Sequence, residues 1–151
     1  MVRKEWKTEP NEQTWINRKT GLHCHITRHS GMGHLCGYVG VPRDHPLFGR
    51  TYWDLYEVNA DIRVHGGITF ASSIDKLGED IWWFGFDCGH ADDITPYSMM
   101  TYKETLGAKY RNIRYVRRHV RRLAEQLENR LKWLLLMGPA DRKIQVQEDD
   151  N

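Results

Sequence analysis

The stretch LHCHITRHSGMGHLCGYVGV, residues Leu22 to Val41, decides the fold. Its first part alternates: Leu22, Cys24 and Ile26 fall on one face, and His23, His25 and Thr27 on the other. Ser30-Gly31-Met32-Gly33 is a turn signal. His34 to Val41 alternates again, with Leu35, Val39 and Val41 opposite His34, Cys36 and Tyr38. Two such runs around a Gly-bearing loop predict a β-hairpin. With the loop at Ser30 to Gly33, His29 faces His34, Thr27 faces Cys36 and His25 faces Tyr38. His23, His25, His34 and Cys36 then share a face. Ligands in a row on strands rarely converge tetrahedrally on zinc, so an exposed or partly covered polar sheet face is expected.

Outward from this hairpin, Pro42 to Trp53 reads as a loop held by Pro42, Pro46 and Gly49. Ile62 to Ala71 predicts a third strand and Ile81 to Cys88 a fourth. The link between them carries Ser72, Ser73, Asp75 and Gly78, so a second hairpin follows. The pattern then changes period. Ile113, Val116, Val120, Leu123, Leu127, Leu131 and Leu134 step by three and four, one stripe of an amphipathic helix of about 25 residues. Gly138-Pro139 stops it. The fold class is α+β: an antiparallel sheet of four to five strands with one long C-terminal helix. Residues 1–21, with Trp6 and Trp15, read as an arm or short edge strands. Residues 22–137 form a single domain, and 138–151 an acidic, disordered tail.

A chain of 151 residues with 40% hydrophobic content can bury one core, and a net charge of +2 sets up no global field. Three cysteines without CxxC spacing predict a reducing compartment. No apolar run approaches the ~20 residues of a membrane span, and Met1 to Lys7 lacks signal-peptide character. A cytoplasmic protein without membrane association is expected.

The site expectation centres on Trp82-Trp83-Phe84-Gly85-Phe86-Asp87-Cys88-Gly89-His90. If Thr69 pairs with Trp83, Gly67 faces Gly85 and His65 faces Asp87. Val64, Ile68, Phe70, Trp82, Phe84, Phe86 and Cys88 then share the core face. His65, Thr69 and Asp87 would share a polar face above a floor of Gly67 and Gly85, where a ligand could approach closely, with Gly66 and Trp83 as further ligand-binding candidates. The alternative is a structural His–Asp pair, with glycines that accommodate a crossing element. His65, Asp87 and His90, joined by Asp93, could ligate a divalent metal, with His65 as acid/base. Asp92 or Asp93 could instead cap a turn. Cys36 and Cys88 each have a histidine two residues away, but Cys88 and Cys24 face the core, which argues against a thiolate nucleophile.

From Lys109 to Arg122 every ionised residue is positive. On a helical wheel Arg111, Arg114, Arg118 and Arg121 form a stripe opposite the leucines, flanked by Arg117 and Arg122. It is either a solvated face or a binder of nucleic-acid phosphates. The apolar stripe covers the sheet or, in part, forms a homodimer seam.

The ordered motifs HLCGYVGVP from His34, HPLFG from His45, VHGGITF from Val64 and WWFGFDCGH from Trp82, then Tyr115-Val116 and Leu123 to Leu127, carry a resemblance. Over about residues 22 to 130 the chain resembles a family of small proteins encoded by bacteriophages and prophages. It departs from that pattern at Gly89 and in its short Ser72 to Glu79 link. The resemblance implies a setting, the host cytoplasm, and a role in blunting host defence. Such a protein would sequester or degrade a phosphate-bearing signal, or occlude a defence protein. The first needs a pocket with convergent polar groups; the second needs only a surface.

Overall fold

A computed structural model of the protein describes residues 4–58, 60–98 and 102–139. Its centre is a five-stranded antiparallel sheet of β1 (Glu12–Ile16), β2 (His23–Arg28), β3 (Leu35–Pro42), β4 (Phe70–Ser72) and β5 (Ile81–Asp87), in the order β1-β2-β3-β5-β4. The first hairpin has the expected register, with His25 opposite Tyr38 and Thr27 opposite Cys36. Strict alternation fixes it, because a one-residue slip would turn every apolar residue outward. Cys24, Ile26, Leu35, Val39, Phe84 and Phe86 point to the core face and are buried.

One helix covers that face. Helix α3 (Ile113–Leu127) starts at Asn112, whose side chain accepts the Tyr115 N–H at 2.9 Å. It buries Val116, Val120, Leu123, Ala124 and Leu127. Its four large apolar side chains contribute about 1.5–3 kcal/mol each. Repulsion between its arginines costs only a few tenths of a kcal/mol per pair, so burial holds the helix in place.

The expected single helix is two. Glu128 closes α3 and the chain leaves helical geometry at Asn129, whose ψ is 82°; Asn129 caps α4 (Arg130–Met137) by accepting the Lys132 N–H at 3.1 Å. In α4 only Trp133 is fully buried, while Leu131, Leu134, Leu135 and Leu136 are exposed. The stripe up to Leu127 is therefore used by the sheet and is not a dimer seam. Two shorter helices, α1 (Tyr52–Glu57) and α2 (Tyr102–Thr105), lie in the connections.

The N-terminal segment is no free arm. Beyond forming edge strand β1, it inserts Glu9 between Arg28 and the start of α3: one oxygen lies 3.5 Å from Arg28 and the other accepts the Ile113 N–H at 2.6 Å. The expected tail is outside the described residues from 140 onward. Among the described residues no helix is long and apolar enough to cross a membrane.

The second hairpin departs from expectation. Phe70 pairs with Gly85 and Ser72 with Trp83, a shift of three residues from the Thr69–Trp83 register. The shift is odd, so it exchanges faces: Phe70 stands on the outer face, edge-on to Tyr38. The cause is local. Val64 to Gly67 is a turn, with Gly66 and Gly67 at φ +68° and +78° and the Gly67 N–H donating to Val64 O. The third strand is therefore three residues long, and Ile68 reaches the core from a loop.

The outer face is covered by the link between β4 and β5. Lys76 in that link bonds Glu12 on the opposite edge strand at 2.8 Å. Beneath it His25 and Trp83 are only 1% exposed.

Candidate ligand site at the sheet and helix junction

The turn at Val64 to Gly67 carries His65 away from the sheet and onto α3. Its partner is therefore Asp93 and not Asp87: His65 Nε2 lies 2.8 Å from Asp93 Oδ2. Tyr115 Oη lies 2.7 Å from His65 Nδ1, and the His65 backbone N–H donates to His119 Nδ1 at 3.1 Å. Asp93 is fully buried. It also accepts Arg111 Nε at 2.8 Å and the His90 backbone N–H at 3.0 Å. Burial alone would raise the Asp93 carboxyl, but the hydrogen bonds from His65, Arg111 and His90 outweigh it and hold it below the ordinary range.

These bonds place the groups against one another. Asp93 is ionised and accepts the His65 Nε2–H, and Nδ1 of the same ring is bonded to the Tyr115 hydroxyl. His119 Nδ1 accepts a backbone N–H, so its proton sits on Nε2. Burial, and then the positive charges of His65, Arg122, Arg118 and Arg111, lower the His119 pKa to about 4. His119 is thus a neutral imidazole whose Nε2–H has no partner among the described residues.

His119 and His65 line a cavity of about 610 Å³ together with Arg63, Val64, Arg122, Glu125 and Gln126. Gln126 builds the wall: its carboxamide accepts the Arg63 N–H at 2.7 Å and donates to Arg63 O at 2.9 Å. This pins the turn bearing His65 to the helix. Arg122 and Arg63 stand at the rim, both exposed.

The other expected site residues lie elsewhere. Asp87 accepts from Thr69 Oγ1 at 3.1 Å and from the Gly89 N–H at 2.9 Å. His90 Nε2 is 3.4 Å from Asp87 Oδ1, within ion-pair range, but it is buried and lacks hydrogen-bond alignment. Asp87 and His90 thus form one pair and His65 and Asp93 another, with the two imidazole centroids 5.8 Å apart. Among the described residues no three His, Cys, Asp or Glu side chains are arranged to hold a metal ion. The glycine floor serves the protein's own rings: a methyl on Gly85 would overlap Tyr38, and one on Gly66 would overlap His90. A methyl on Gly67 would meet only the Tyr56 hydroxyl, at 3.4 Å. Trp83 lies beneath the link and contacts His25 and His23.

No side chain here is activated for attack. Burial raises the Tyr115 phenol, against the nearby Arg111, and raises Cys88 and Cys36, the latter to about 11. What the site offers is a neutral N–H donor and guanidinium groups around an open cavity, which is suited to an anion.

His119, Arg111, Tyr115, Gln126 and Arg63 have roles in the site that the sequence analysis does not assign. Tyr115, His119, Arg122 and Gln126 step by four, three and four, a second stripe beside the apolar one. That spacing was the available signal. Arg111, assigned to the exposed stripe, instead bonds Asp93 and stacks over Tyr115 at 5.1 Å. Compared with known proteins, the chain matches no family model, no curated protein and no solved structure.

Proposed function

We propose that the protein binds a small phosphate-bearing ligand in the cavity beside α3. The observation that carries this reading is the unpartnered Nε2–H of His119, a ring kept neutral first by burial, in a cavity that the guanidinium groups of Arg63 and Arg122 also line. A cavity of about 610 Å³ is of the size that takes a nucleotide-like molecule. His65 shapes this site and does not react in it, because Asp93 and Tyr115 engage both of its ring nitrogens. In the setting implied by the phage resemblance, such a binder would withdraw a nucleotide signal from a host defence.

Isothermal titration with pyrophosphate and with ADP tests the reading. Binding is expected, and His119→Ala and Arg122→Glu should each weaken it at least tenfold, about 1.4 kcal/mol, with circular dichroism unchanged. Absence of heat with both probes at about 1 mM, where even an affinity of about −4 kcal/mol would register, would refute it. Equal affinity of the two variants and the parent protein would refute it as well.

A further inference from the structure

The outward face of α3 continues past the cavity. Arg114, Arg117, Arg118 and Arg121 line a groove of about 340 Å³ with Trp15 and Asn17. Arg114, Arg118 and Arg121 have no hydrogen bond or ion pair with any described residue. Arg117 lies over the Trp15 ring at 4.9 Å and bonds Gln13. Arg122, one helical turn beyond Arg118, stands on the rim of the His119 cavity. The helix rises 1.5 Å per residue, so positions 114, 118 and 121 are spaced by about 6 and 4.5 Å. Groove and cavity thus flank a single helix, with Arg118 on one and Arg122, four residues on, at the other. Arginines four apart repel, and no carboxylate occurs between Arg114 and Arg122 to relieve them.

We infer that this row of arginines binds single-stranded nucleic acid. Its phosphates would run along Arg114, Arg118 and Arg121, with one nucleotide turned into the His119 cavity. An anionic membrane is disfavoured because α3 spends its apolar face on the sheet and has none to insert. An acidic peptide would not use the pairing of Arg117 over the Trp15 ring, whereas a nucleobase can lie against such groups. The inference rests on the anion-binding reading of the cavity, and it adds the polymer and the groove.

Fluorescence anisotropy with a labelled oligo-dT of about 20 nucleotides, longer than common single-strand footprints, is the test. Binding is expected at low salt, with a log–log salt slope of about −2 for three phosphate contacts. Arg114→Gln/Arg118→Gln/Arg121→Gln should weaken it at least 30-fold, about 2 kcal/mol, while the melting temperature holds or rises. Lysine at the same positions should restore most of the affinity. The triple glutamine variant should bind pyrophosphate as the parent does, because none of the three residues lines the cavity. No anisotropy change at low salt, no loss in the triple variant, or equal affinity for heparin or polyglutamate would overturn the inference. Oligonucleotide binding without pyrophosphate or ADP binding would refute the small-ligand reading and with it the turned-in nucleotide, and would confine the contacts to the arginine groove.

Discussion

The buried histidines show how single residues set the pH response. His45 is fully buried: its Nδ1 accepts the Leu47 N–H at 3.1 Å and its Nε2–H donates to Leu127 O at 2.7 Å. It thereby ties the end of α3 to the loop after β3 and is neutral in the fold. Burial lowers its pKa from 6.5 to about 4, against the opposing pull of the Leu127 carbonyl. Protons then bind the unfolded chain more readily than the folded one. The stability contribution is complete above about pH 6.5 and is lost as pH falls toward 4, by about 3 kcal/mol at most. His119 acts in the same direction. Urea unfolding at steps from pH 7.5 to 4.5 should show this fall, and in His45→Ala the fall should be shallower. That variant should also be about 2–4 kcal/mol less stable at neutral pH, since it orphans buried backbone groups.

At the scale of elements, Gln126 couples the turn carrying His65 to α3. In Gln126→Ala the Arg63 backbone N–H and C=O lose their partners. Hydrogen exchange at residues 62–67 should accelerate while α3 remains protected, and pyrophosphate affinity should drop. Unchanged exchange in that segment would mean that the turn is held by its other contacts. The same elements explain what was legible beforehand. The β2–β3 register followed from alternation about a short loop, and the inward face of β5 followed from Trp82, Phe84 and Phe86. The β4–β5 register did not follow, because Val64 and Ile68 keep strand-like parity while Gly66-Gly67 breaks the strand between them. That dipeptide is a turn signal in its own right. The break after α3 was also hidden, since Glu128-Asn129 contains neither Gly nor Pro. Of the site, His65 and Asp93 were visible as residues, but their pairing depends on where the turn sends the chain.

For the molecule as a whole, the first described residues are structural. Glu9 and Arg28 are nearly inaccessible, with side-chain exposures of 8% and 3%. Tyr110 joins them by hydrogen bonds, and Trp6 packs edge-on against Tyr110. Glu9→Ala would leave Arg28 as a buried charge without its carboxylate, and α3 without its N-terminal anion. A loss of about 3–5 kcal/mol is expected, read as a lower urea midpoint with unchanged slope. A loss below about 1 kcal/mol would show that water replaces the carboxylate there.

The link that carries Lys76 across the outer face imposes an order of events on folding. Lys76 meets Glu12 only when β1 and β4, the two margins of the sheet, already stand in place, which requires all four strand pairings. Its closure adds no strand pairing of its own and brings little reward, since the ion pair that ends it is exposed. The strap therefore closes last in folding and opens first in unfolding. Trp83 and His25 are shielded from water only in its closed state, so quenching of Trp83 reports an early, local opening while the helix face of the sheet is still intact.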